Sequence, residues 1–269
     1  MTYPKPNITV NVDVTNPGQF FACCGLLELA DRLWPEAEGW FGRDDRSFLI
    51  AGGGTLDELV DMIVNAELVS ARPSDPASSP MTLRANVGSR SIELSIDWWE
   101  TDQTGARDLK IWAGSMESVG IAMAMQNAMK APRFRDPGLF DVGMVVTVPD
   151  DSGKKKEPYY FDARRTPNAH SRDVGFSPNT LGLTSTAHPA VELLCLIGLQ
   201  AARPAFTGRA RVYDYHTWHM PLPSSLLLPA STGFLHLADS RAYRFENWFR
   251  TGQKKHKAFR SAIPLTQGA

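Results

Sequence analysis

Along this chain apolar residues recur in steps of two in some stretches and in steps of three to four in others, and the changes of period mark its elements. Asn7–Val14 (NITVNVDV) alternates like a half-exposed strand. Thr15-Asn16-Pro17 then offers a cap and a proline for a first helical turn. Phe20, Cys24, Leu27, Ala30 and Trp34 line one face of the helix this predicts, and Pro35 ends it. Ser47–Ala51 predicts a short strand, Gly52-Gly53-Gly54 a turn, and Thr55 the cap of a helix reaching Glu67. After a proline- and serine-rich loop at Ala71–Pro80, Met81–Val87 and Ser91–Trp98 predict a hairpin turning at Gly88-Ser89. Lys110–Met129 has helical spacing, and Phe140–Val148 is apolar enough for a strand.

The charged stretch Asp150–Glu157 divides the chain into residues 1–149 and 150–269. Beyond it lie an arginine-bearing polar loop (161–186) and an apolar helix over His188–Ala201, opened by Pro189. Strands near Ala205–His219 and Leu226–Leu237 and a basic tail at 241–260 complete the chain. This order predicts an α+β fold: an N-terminal ferredoxin-like or split βαβ-type mixed sheet with helices, then a smaller mixed α/β C-terminal part.

Composition narrows the function classes. At 269 residues, 43% hydrophobic and 21% charged, the chain has a globular balance. Its apolar runs are too short or too interrupted for a bilayer span, and its N-terminus reads as a strand rather than an export signal. Cys23, Cys24 and Cys195 lie in apolar helical contexts without a CxxC pair, which suits packing in a reducing cytoplasm. The net charge of −1 hides an asymmetry: between Arg241 and Arg260 seven Lys/Arg face one acid, Glu246. A localised basic surface is expected there.

Catalytic motifs are hard to find. The triglycine lacks both the dinucleotide spacing and a following Gly-Lys, so a capped turn explains it better than a phosphate loop. His216 and His219 would point to opposite faces of a strand, and Asp97, Glu100 and Asp102 have the look of solvated strand-end acids. No nucleophile elbow is present. No catalytic residue, metal site or cofactor is therefore expected. Binding chemistry is better represented. Arg133 and Arg135 flank Phe134, a pattern suited to phosphate contact with base stacking. Arg164, Arg165 and Arg172 share a loop with Asn168, Ser177 and Asn179, groups that contact phosphates and base edges. Lys254, Lys255, Lys257 and Arg260 follow Trp248 and Phe249. The competing explanations are arginines paired with acids elsewhere and a merely solvated basic face.

Three segments carry a resemblance: NPGQFFACCGLLELADRLWP (Asn16–Pro35), LKIWAG (Leu109–Gly114) and FDARR…GFSPN…HPAVELLCLIGLQ (Phe161–Gln200). Together they resemble the Csb family of type I-U (I-G) CRISPR–Cas systems, within it the compact protein in the large-subunit role. The resemblance touches both halves of the chain. It implies a non-catalytic subunit of a crRNA-guided surveillance (Cascade) complex that contacts target DNA and its flanking motif and stabilises the displaced strand. The implied partners are crRNA, target DNA, the other Cas subunits and a helicase-nuclease recruited in trans for antiviral defence. The chain is short for a large subunit, which puts the usual C-terminal helical bundle in doubt. Two alternatives stay open: a ferredoxin-like subunit gripping crRNA, and a purely structural assembly subunit.

Overall fold

The computed structural model describes residues 3–71, 80–96, 117–148, 151–165, 186–249 and 257–266. β1 (Ile8–Asn11), β3 (Ser47–Ala51), β2 (Glu38–Phe41) and β11 (Leu222–Pro223) form an antiparallel sheet in that order. α1 (Pro17–Leu33) crosses from β1 to β2, and β3 fills the gap between them, so the expected split βαβ unit is present and the fold is α+β.

The ferredoxin-like expectation needs a correction at the fourth strand. In a complete sheet of that kind it would lie beside β1. Here β4 (Glu67–Ser70) instead pairs with β5 (Met81–Val87), which pairs with β6 (Arg90–Ile96) in a separate three-stranded sheet. Buried Gln126, on α3 (Ser118–Ala128), donates from Nε2 to the carbonyls of Ile63 at 2.8 Å and Ala66 at 2.7 Å. That amide caps the end of α2 (Leu56–Asn65) and fixes where the chain leaves it.

The starts of α1 and α2 follow their sequence signals. The Asn16 side chain accepts from Gly18 N–H at 3.1 Å, with Pro17 in the first turn. Thr55 and Glu58 form a reciprocal capping box at α2. The triglycine turn has a packing role: a Cβ on Gly54 would collide with the Trp34 indole lying across it. Nearly every residue of α1 and of α4 (Pro189–Ala201) is buried, so these two helices form the centre of the molecule.

The second sheet runs β13 (Lys257–Phe259), β12 (Ala242–Phe249), β10 (Val212–His216), β9 (Ala205–Phe206), with β14 (Ile263–Leu265) also on β12. It is joined to the first through buried contacts. Tyr215 donates to the Val14 carbonyl at 2.5 Å and Trp218 Nε1 to the Gly39 carbonyl at 2.8 Å. Residues on both sides of position 149 therefore share one hydrophobic core.

Three sequence expectations change. Phe140 lies in a 3-10 turn (Leu139–Asp141) after Pro137-Gly138, and the expected strand is reduced to an isolated bridge at Met144 and to Thr147–Val148, which pairs as β7 with β8 (Asp151–Lys155). Its apolar character reflects a fully buried ring, not a strand. The expected strand at Leu226–Leu237 contains a short helix, α5 (Leu227–Ser231); Pro229 cannot donate to a ladder, and Thr232 Oγ1 donates back to the Leu228 carbonyl at 2.9 Å. The basic tail is not a tail, because much of it forms β12 and β13. The opening of the helix expected from Lys110, and Asp97, Glu100 and Asp102, lie outside the described residues.

Candidate functional site

Two of the three resemblance segments meet at a buried polar junction. Asn16 sits at the start of α1, Asp162 at the end of a buried aromatic run, and His188 and Glu192 at the start of α4. Glu192 is fully buried and accepts the backbone N–H groups of Phe161 and Asp162, each at 3.2 Å. Asn16 Nδ2 donates to Asp162 Oδ1 at 3.0 Å, and Asn16 Oδ1 accepts from Ala163 N–H at 3.0 Å. Gly18 makes the approach possible, since a Cβ there would come within 2.5 Å of the Phe161 carbonyl oxygen.

Asp162 has no exposed surface, yet it holds a charge. Arg164 Nε lies 3.0 Å from Oδ1 and Nη2 2.6 Å from Oδ2, while His188 Nδ1 is 3.2 Å from Oδ2. Burial pushes the carboxyl upward, but the hydrogen bonds and charge of Arg164 and the charge of His188 outweigh it and hold Asp162 below the usual carboxylate range. Arg164 also reaches Asp141 Oδ1 at 2.8 Å and the Phe140 carbonyl at 2.6 Å. Its guanidinium is thus occupied on several sides.

Segment 166–185 is flanked by this junction: Arg164 just before it and His188 just after it contact the same carboxylate. Met144 and Ala187 exchange both backbone hydrogen bonds, at 2.9 and 2.8 Å, beside the returning chain. The expected binding residues distribute around it unevenly. Arg133 donates to Met144 Sδ at 3.4 Å, which places it at this corner. Phe134, however, is fully buried and has no face left for a base, which corrects the interleaved cation-and-ring expectation. Arg135 is paired with Asp61. Arg165 ends a 3-10 turn (Ala163–Arg165). Asn168, Arg172, Ser177, Asn179, Lys254 and Lys255 lie outside the described residues.

Tertiary structure brings β13 to the root of the arginine-bearing segment. Phe259 N–H donates to the Tyr160 carbonyl at 3.1 Å, and its ring lies 5.3 Å from that of Phe161. β13, with Lys257 at its start and Arg260 just past its end, therefore runs beside the root of the arginine segment. Arg260 stacks over Trp248 at 4.6 Å and stands 3.7 Å from Glu246.

Sequence reasoning missed a second polar node. Asp45, buried in the turn between β2 and β3, accepts from Arg241 at 2.7 Å and Tyr243 at 2.8 Å and contacts His219 Nε2 at 2.8 Å. Burial raises its pKa, but the hydrogen bonds of His219, Tyr243 and Arg241 bring it below the usual value. His219 is thus a structural partner of a carboxylate. The missed signals were isolated polar residues inside apolar stretches, Glu192 in PAVELLCL above all. Among the described residues no group of three or more metal-ligating side chains converges. The cysteines are buried, and burial pushes their thiols up, away from the nucleophilic form. No family model matches the chain, and no curated protein or solved structure matches it either.

Proposed function

We propose that this protein is a non-catalytic, nucleic-acid-binding subunit of a type I CRISPR crRNA-guided surveillance complex. It acts in recognition of target DNA and its flanking motif, holds the opened strand and helps recruit a separate helicase-nuclease. The observation that carries the reading is the adjacency of β13 to Tyr160–Phe161, which sets Lys257 and Arg260 beside the start of the segment bearing Arg165 and Arg172. Lys257 and Arg260, brought from a distant part of the sequence to the root of an arginine-bearing segment, suit contact with a phosphate backbone. The resemblance of the Asn16–Pro35 and Phe161–Gln200 segments supplies the particular complex.

The test is co-expression with a CRISPR RNA and the companion subunits, using wild-type protein and an Arg165→Glu/Arg172→Glu/Lys257→Glu variant. Loss of target-DNA binding with an intact complex supports this reading. Loss of crRNA loading supports the crRNA-gripping alternative. Unchanged DNA binding and loading overturn both.

A further inference from the structure

Arg241, at the entry to β12, is held firmly yet remains open to solvent. Its Nη1 donates to Asp45 at 2.7 Å and its Nη2 to the Arg43 carbonyl at 2.9 Å, while its side chain stays 52% exposed. A guanidinium has more N–H donors than these two bonds use, and a fixed fork with spare donors is a preorganised anion ligand. Arg241 lines a cavity of about 440 Å³. Arg43 lines it too, exposed and with no side-chain partner among the described residues. Ala242, Pro264 and Leu265 give the cavity an apolar wall. Asp45 does not line it, and three donors already answer its charge. The one opposing group is Asp239, which lines the cavity without an ion-pair partner among the described residues.

We infer that this cavity takes a nucleoside phosphate, as one nucleotide of a bound strand, with the phosphate on Arg241 and Arg43 and the sugar or base against Pro264 and Leu265. Its volume falls within the range of about 300–1,000 Å³ typical of small-ligand sites. The inference deepens the nucleic-acid reading above, and it uses residues outside the arginine segment. Arg43 is the informative position, because its side chain holds nothing in the fold.

Binding of a fluorescein-labelled short oligothymidylate and of thymidine monophosphate to the full chain at low salt tests it, with thermal unfolding as the folding control. Arg43→Ala is expected to unfold like the wild type but to bind the oligonucleotide roughly tenfold more weakly, with the salt slope reduced by about 1. Asp239→Asn is expected to bind more tightly. If the wild type binds the oligonucleotide and neither variant changes affinity, the cavity assignment falls while the nucleic-acid reading stands. If only the monophosphate binds, and Arg43→Ala abolishes that, the cavity stands as a free-nucleotide site and the strand-binding reading falls. Binding of neither probe overturns both.

Discussion

Gly25 of α1 and Gly198 of α4 are each other's packing condition. A Cβ on Gly25 would run into the Leu194 carbonyl and lie 3.0 Å from Gly198 N; a Cβ on Gly198 would run into the Phe21 carbonyl and lie 2.7 Å from Gly25 N. The two central helices touch backbone to backbone, and no side chain fits between them.

Gly25→Ala and Gly198→Ala are each expected to destabilise the protein by about 1–3 kcal/mol, as overpacking does in a filled core. The double variant should lose less than the sum, because one separation of the helices relieves both clashes. Gly138→Ala is the control, since a Cβ there meets nothing within 4 Å. Urea unfolding midpoints decide the matter.

Asp162→Asn keeps the shape of the junction and removes its charge. Arg164 and His188 then lose their shared counter-ion, at a cost of about 3 kcal/mol. The low end of the range for broken buried pairs applies because the Arg164 side chain is 36% exposed and water can partly replace the carboxylate. Thermal unfolding of the variant measures it.

Acid should unfold the protein through the same groups. The folded-state pKa values of Asp162 and Asp45 are both depressed, so their contribution is present above the ordinary aspartate pKa of about 3.9 and is lost as pH falls through the lower folded values. Unfolding free energy measured against pH should therefore fall below about pH 4, more shallowly in Asp162→Asn.

Asp45 combines two demands. It occupies the left-handed region, with φ at 56°, and it accepts from Arg241 and Tyr243. Asn tolerates that backbone and Ala does not, so Asp45→Ala should cost about 1 kcal/mol more than Asp45→Asn. Equal losses in denaturant titrations would place the whole effect in the side-chain bonds.

Arg164 and Arg172 should separate on substitution. Arg164→Gln is expected to lower stability, because its guanidinium ties Asp162, Asp141 and the Phe140 carbonyl together. On the proposed reading, Arg172→Glu is expected to lower nucleic-acid binding. Paired melting and binding measurements on the two variants test the division.

Local chemistry was legible in the sequence wherever a residue acts on its own neighbours. Asn16-Pro17 and Thr55 start helices where expected, and alternation placed β1 and the β5–β6 hairpin, because caps and two-residue periods act over a few residues. Phe140 and Leu226–Leu237 misled for the converse reason: apolar residues serve a core equally well from a strand, a turn or a helix. The arginine-rich character of residues 161–186 was legible too, but the structural role of Arg164 within it was not. In sequence Arg164 is one arginine among several, and only the arrival of Asp141 and the Phe140 carbonyl around it, with its neighbour Asp162 buried, marks it as an anchor. Likewise charge counting located a basic C-terminal end, whereas the hydrogen bond from Phe259 N–H to the Tyr160 carbonyl decided that β13 would stand beside the root of the arginine segment. The sequence by itself determined where the capped helices α1 and α2 and the alternating strands begin and how much positive charge the chain carries. Tertiary structure decided which polar and charged groups meet inside, since that depends on contacts between residues far apart in the chain.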